Sequence, residues 1–495
     1  MQHYGWWNCG RIVAALTAVL AVGSEVSSAE NLGAAVASVT KADLTRHINF
    51  LASDALEGRE AGSRGGHAAA AYLTDRLKSY GAQPLGEDGS YVQEFGAGYR
   101  NVLAIIPGSD PALKEECVLL GGHLDHVGYG SRLTSNGPIG KIHNGADDNA
   151  SGVSGILEIV EGLSRLSNPL PRSIVIAFWD GEEKGLLGSQ HWVSNPTLPL
   201  KRIKLAFNLD MIGRLSNDTV TVYGSRTAVG LRRSLVRGNE ASQLNFNYDF
   251  KNRDDSDHFT FFQKRIPYLM VYTGEHPDYH RPSDDADRIN FDGLERISRL
   301  VLRTLADQAE APSCGGFFER CREETTPTRL KFAPSAPRLG LSWSGKPHMD
   351  GSLIVMSVEE NTPASRAGIR TGDCITHVGG VAVPELGELR DTVRRMEGPL
   401  KLSIRRAGTD QVDTMTLDLD GIPMPAGLIT GRDETDPDAH TVTGVVLNSE
   451  AGDIGFREGD RLLRHVRAEP AADGDSDSWV VERAGRMLTL SDDRD

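Results

Sequence analysis

Two kinds of apolar pattern alternate along the first three fifths of the chain. Over residues 40–56 and 67–80 apolar side chains return at helical spacing, and Gly81 is placed to close the second helix. Short unbroken apolar runs follow at 102–106, 117–120, 173–179, 205–209 and 266–272, with a further helix expected over 151–166. A strand with one wet face alternates apolar and polar residues. These runs do not, which predicts strands buried on both faces. The expected class up to about residue 310 is therefore α/β, a mostly parallel central sheet with helices on both faces.

The pattern changes beyond 310. Residues 311–337 are rich in Pro and charge and read as a linker. Short strands are then expected at 352–358, 374–378 and 400–405, with helices at 364–368 and 385–396. The order is echoed in Gly444 to Ser449, Ala451 to Gly455 and Arg457 to Asp460, a weaker second copy without a clear final strand. At the other end, Arg11 precedes an apolar run at 12–22, and Ser27-Ser28-Ala29 offers a small-x-small cleavage site. Residues 1–29 are expected to be a signal peptide, so the protein is expected to be exported, periplasmic or extracellular. With the signal removed, no membrane span is expected.

Composition narrows the partners. The net charge of -15 argues against nucleic acid or an anionic membrane surface. Of five cysteines, none forms a Cys-x-x-Cys pair, so a thiolate zinc site is not expected. Cys314 and Cys321 are close enough in sequence to pair after export, whereas Cys117 and Cys374 lie in strand-like runs.

The candidate chemistry sits just past the apolar runs. His123 and Asp125 follow one, Asp147 and Asp148 precede a helix, Glu182 and Glu183 follow another, Asp210 ends a third, and His280 lies beyond the last. In open parallel sheets ligands bind outside the carboxyl ends of the strands. So many carboxylates at one edge repel one another without a cation, and imidazole with carboxylate is a typical zinc donor set. Taken singly, each residue is equally a cap or a turn residue.

Taken together, Gly121-Gly-His-Leu-Asp125, Gly145 to Gly152, Trp179-Asp-Gly-Glu-Glu183, Asn208-Leu-Asp-Met211 and Tyr279-His280 resemble the co-catalytic di-zinc aminopeptidase family, bacterial leucyl and secreted type, related to glutamate carboxypeptidase. Phe50 to Asp54, Glu57-Gly-Arg59 and Tyr91-Val-Gln93 are similar as well. The resemblance implies two Zn2+ per chain, held by His123, Asp148, Glu183, Asp210 and His280. Asp148 would bridge the two, with His123 and Asp210 on one side and Glu183 and His280 on the other. It implies Glu182 as general base and Asp125 as the residue orienting His123. The segment 129–143 is expected to line the cleft. Asp257-His258 also resembles a family segment, as a support pair or with a plain fold role.

Arg338-Leu-Gly-Leu341, Asn361-Thr-Pro-Ala364 and Gly372-Asp373 resemble PDZ domains, small α+β units that bind extended peptides or protein C-termini by strand addition. The expected organisation is a signal over 1–29, a di-zinc peptidase domain over 38–310, a linker over 311–337, a PDZ-like domain over 338–420 and a degenerate second PDZ-like unit over 421–495. The function implied is removal of N-terminal residues from peptide substrates. The competing expectations are a carboxypeptidase or other amidohydrolase on the same scaffold, and a non-catalytic PDZ-type peptide-binding protein.

Overall fold

The computed structural model describes residues 31–335, 337–383, 389–396, 398–467 and 477–492. The expected signal segment and the first residues of the helix expected at 385–396 lie outside the described residues. The chain divides into two compact units, one running to Leu330 and including 484–486, the other comprising 331–483 and 487–495.

The first unit is built on a nine-stranded sheet. Its centre is four parallel strands in the order β5 (Ser173–Trp179), β4 (Cys117–His123), β6 (Ile203–Leu209) and β9 (Tyr268–Tyr272). Antiparallel β3 (Tyr99–Ile106) lies beside β5 and pairs with β1 (Gln83–Pro84) and β2 (Val92–Phe95), and antiparallel β7 (Thr219–Tyr223) lies beside β9 and pairs with β8 (Asn245–Asp249). The unbroken apolar runs have the predicted cause. Val118 and Leu120 of β4, Ile174, Ile176 and Phe178 of β5, and Leu205, Phe207 and Leu209 of β6 face one core. Cys117, Leu119, Val175, Ala177 and Trp179 face a second core on the opposite side. Helices Lys41–Leu51, Arg64–Ser79, Gly152–Ser164 and Phe291–Glu310 contribute to the first core. The class is α/β, as read from the sequence.

The helix expected over 40–56 ends at Leu51. Its start is set by Thr40, whose hydroxyl accepts from the Asp43 N–H. Its end is set by Arg59, a buried guanidinium that donates to the Leu51 carbonyl and to the carbonyls of Leu124, Asn144 and Gly145. The chain reaches Arg59 through the 3-10 turn Asp54–Arg59. Gly58 there has φ +70, and a Cβ would stand 2.4 Å from the His143 carbonyl oxygen.

The segment expected to be a linker packs on the first unit as far as Leu330. Cys321 is buried in the second core, where Phe317 and Phe318 also pack, and Arg226 pairs with Glu324 at 2.8 Å. Pro and charge predicted an open connection; a few apolar side chains decide otherwise. Cys314 and Cys321 are both free thiols, so the pairing suggested by their spacing is not made.

The second unit contains two six-stranded sheets. The first has Leu341–Trp343, Leu353–Val358, Cys374–Val378, Pro399–Arg405 and Val412–Asp418 in that order, with Val381–Ala382 on Cys374–Val378. Helix Pro363–Arg366 follows the second strand and Leu389–Arg395 precedes the fourth. In the second sheet Leu428–Asp433, Asp436–Val445, helix Glu450–Ile454 and Arg461–Arg467 repeat the strand–strand–helix–strand order. Two closing strands, Asp477–Arg483 and Arg486–Ser491, correct the expectation that a clear final strand is missing. Their polar residues hid them: Arg486–Ser491 alternates half-buried with exposed positions almost throughout.

Candidate metal centre

Because β4, β5, β6 and β9 are parallel, all four deliver their following residues to one edge. His123 is the last residue of β4, and Asp210 directly follows β6. Glu182 and Glu183 open the 3-10 turn after β5. Asp148 reaches the same place because the helix Gly152–Ser164 approaches the strand ends closely. A Cβ on Gly152 would lie 2.4 Å from the Leu209 carbonyl oxygen, and one on Gly122 2.6 Å from it. Asn149 ties this approach, donating to Leu209 O and accepting from the N–H groups of Gly152 and Met211. Asp284 accepts from the N–H groups of both Asp147 and Asp148.

The structure brings together the seven residues to which the resemblance gave roles, while Asp147, the eighth candidate, accepts from the Gly213 N–H and the Ser151 hydroxyl. His123 Nε2 is 3.3 Å from Asp148 Oδ1 and 3.3 Å from Asp210 Oδ1. His280 Nε2 is 3.0 Å from Asp148 Oδ2 and 3.2 Å from Glu183 Oε2. The two oxygens of Asp148 thus face two different donor groups. Donor atoms of His123, Asp148 and Asp210 lie within 4.8 Å of one another, as do those of His126, Asp148, Glu183 and His280, and those of His123, Glu182 and Glu183. Zinc–nitrogen and zinc–oxygen bonds of about 2.0–2.2 Å put tetrahedral ligands ~3.4 Å apart, so these spacings fit the ion.

Asp125 stands in a different relation to His123 than expected. The His123 ring lies 3.1 Å from the Asp125 backbone carbonyl through Nδ1, while the carboxylate is 3.9 Å away and accepts from the Glu182 N–H. The backbone carbonyl holds the ring, and the side chain holds the Glu182 turn.

The electrostatics follow from burying unlike groups together. Burial alone disfavours every charge here. For His123, Asp210 and Glu182 outweigh it and raise the imidazole well above its usual value. Burial opposes the charge on Asp148, but the three imidazoles of His126, His123 and His280 pull it well below the carboxylate range. Glu182 gains less from imidazole. Burial first, then Glu183, Asp257 and Asp210, push it well above its usual value. Adjacent glutamates are therefore set apart: Glu183, hydrogen-bonded by His126 and His280 against its burial, is lowered.

Three groups were given no role in the sequence reading. His126, one residue past Asp125, lies 2.8 Å from Glu183 Oε1 through Nδ1. Asp284 organises the Asp147-Asp148 backbone, and Arg59 holds the carbonyls of Leu124, Asn144 and Gly145. His126 and Asp284 lie within a few residues of a noted motif, with proximity as the only signal, and Arg59 ends the motif Glu57-Gly-Arg59. The segment 129–143 supports Tyr279-His280 from outside: Asn136 donates to the carbonyls of both. The cavity itself is lined, besides the residues above, by Met211, Asp255, Met270, Tyr272, Glu275 and Tyr279. His258 has a packing role, with its ring centroid 4.8 Å from that of Tyr268 and burial lowering it to about 3. Its neighbour Asp257 is buried, and its charge acts on His123 and Glu182.

The model of peptidase family M28 matches residues 101–305, and that of the PDZ domain matches residues 354–406. Leucine aminopeptidase 1 of Trichophyton equinum is 28% identical over 318 residues, 59% of this chain and 80% of that protein. Leupeptin-inactivating enzyme 1 of Streptomyces exfoliatus is 26% identical over 357 residues, 66% of this chain and 75% of that protein. Among solved structures, the LapA aminopeptidase of Legionella pneumophila aligns with a TM-score of 0.47 at 21% identity, over 57% of this chain and 76% of that one. The chain carries a domain of peptidase family M28 followed by a PDZ domain.

Proposed function

We propose that this protein is an exported zinc aminopeptidase in which two ions share Asp148. The observation that carries this reading is the split of the Asp148 carboxylate, with Oδ1 beside His123 and Oδ2 beside His280. His123 and Asp210 complete one position, and Glu183 and His280 belong to the other. When bound, two zinc ions supply Lewis acidity to the scissile carbonyl and lower the pKa of an attacking water.

The chain's own residues do the rest. Glu182 is buried beside Glu183 and Asp257, which raises its affinity for a proton, so its ionised form can take a proton from the attacking water and hand it to the leaving amine. Asp125 fixes its position through the Glu182 N–H. Ser256 donates to Asp210 at 2.6 Å and in turn receives a hydrogen bond from Asn208, which fixes that carboxylate. Asp255 and Glu275 line the cavity together with Met211, Met270, Tyr272 and Tyr279. Carboxylates beside an apolar wall suit a protonated α-amino group next to an apolar side chain. The organisation is that of the sequence reading, with the peptidase part extended to Leu330. Strand Leu341–Trp343 ends its sheet and is where an extended peptide or protein C-terminus would add.

The test is a pair of variants assayed on peptides with free and with acetylated N-termini. Glu182→Gln keeps both metals and loses ~10²–10⁴-fold in kcat. Glu183→Gln loses metal. Acetylation removes turnover in the unaltered enzyme. Efficient cleavage of acetylated peptides overturns the aminopeptidase reading, and a Glu182→Gln enzyme of full activity overturns the mechanism.

A further inference from the structure

We propose that His126 is a protein ligand of one of the two ions, so that the two metal positions are unequal: one closed by four protein donors, the other left open with three. This rests on the two-metal reading above. Four donor atoms, from His126, Asp148, Glu183 and His280, lie within 4.8 Å of one another. His126 Nδ1 is 2.8 Å from Glu183 Oε1 and 3.6 Å from Asp148 Oδ2, and His280 Nε2 is 3.0 Å from that same Asp148 oxygen and 3.2 Å from the other Glu183 oxygen, Oε2. All bracket the ~3.4 Å edge of a tetrahedron drawn with ordinary zinc bonds. The His126 and His280 rings meet edge to face, with centroids 5.4 Å apart, so that each presents a nitrogen to the same carboxylates without stacking.

The His126 ring is also fixed in place by the backbone. The His126 backbone N–H donates to the Arg59 carbonyl, and Glu60 forms a β-bridge with His126. The ring face lies against Gly145, where a Cβ would stand 2.6 Å from two ring carbons. The Arg59 guanidinium holds the Gly145 carbonyl at 2.9 Å, so one residue ties down both the His126 backbone, through its carbonyl, and the glycine against the ring, through its side chain. A ring held this way loses little freedom on binding an ion, which is how a prearranged ligand gains affinity.

The other position has three protein donors, His123, Asp148 and Asp210. Structural zinc sites use four protein ligands, and catalytic ones use three and leave a place for water or substrate. Asp148 therefore joins a closed position to an open one. The closed position fills first and holds its ion more tightly. The open position, beside Glu182, is where a substrate group can enter.

The measurement is made on the intact protein, stripped of metal and titrated with zinc and with cobalt against a competing chelator. The unaltered protein binds two ions in separated steps. At one equivalent, X-ray absorption gives two imidazole nitrogens on the ion, and cobalt gives the intense visible bands of a four-coordinate tetrahedral site. In His126→Ala and in His126→Asn, folding being verified by circular dichroism, affinity for the first ion falls by more than the ~10–100-fold that loss of an outer partner costs, and the steps merge. One imidazole at the first equivalent, or variants that lose 100-fold or less, would show that His126 only supports Glu183 and would overturn the proposal while leaving the two-metal reading intact. No metal binding by the unaltered protein would overturn both.

Discussion

Both units of this chain bury carboxylates, and at the metal centre the cation that neutralises them differs from the one used in the C-terminal unit. In the C-terminal unit the partner is arginine. Buried Arg461 faces Asp436 and Glu482, Arg483 binds Asp460, and Arg406 binds Asp373. In the peptidase unit the partners of Asp148, Glu183 and Asp210 are the imidazoles of His123, His126 and His280. A guanidinium keeps its proton at every relevant pH and cannot ligate a metal. An imidazole can give up its proton and bind an ion. The same electrostatic problem is met by a permanent charge where only a fold is needed, and by an exchangeable one where the metal is to sit.

Loss of one permanent cation should destabilise the C-terminal unit alone. Arg461→Met leaves Asp436 and Glu482 buried together without their guanidinium. Removing one partner of a buried ion pair costs ~3–5 kcal/mol. Chemical denaturation should show that loss in the C-terminal unit, with zinc content and peptide hydrolysis unchanged. A variant of undiminished stability would mean that the arginine does not offset the buried charge.

The exchangeable cations predict a pH effect in the peptidase unit. Without metal, burial works against charge on His280, but hydrogen bonds to Asp148 and Glu183 raise it to about 10. In the metal-free protein the pair stabilises the fold fully below the ordinary imidazole value of about 6.5, and this is lost as pH rises through about 10. Zinc must displace that proton, so its affinity should fall about tenfold per pH unit on acidification for each proton released. Calorimetric titration in buffers of different ionisation enthalpy reads the proton count directly. An affinity independent of pH would contradict the pairing.

The smallest effect concerns the boundary between the units. A chain ending after Leu330 should keep zinc and its kcat/KM on short peptides. A chain ending at Ala311 removes Phe317, Phe318 and Cys321 from the second core and Glu324 from Arg226, and should melt at lower temperature. Equal melting temperatures would mean that 312–330 is a linker after all.

How much of this was legible in the sequence depends on whether the signal was local. The unbroken apolar runs marked β4, β5, β6 and β9, and the polar residues after them marked the site. Strand Val412–Asp418 escaped because it buries only Leu417 among its seven residues. The segment 312–330 misled because Pro and charge outnumber the few apolar residues that anchor it. His126 escaped because its carboxylate partners are 22 and 57 residues away, in turns that only the folded sheet brings beside it. Asp125 could be placed near His123 by spacing, but which of its oxygens meets the ring is a matter of backbone geometry.

If Asp148 joins two metal positions, the metal content of Asp148→Asn will show it. The unaltered protein, equilibrated with zinc and freed of excess, should hold two ions per chain. Asn offers one oxygen and no charge, so the variant should lose affinity at both positions together and lose hydrolysis with it. A variant that keeps one ion at undiminished affinity, or an unaltered protein that holds only one, would contradict the account.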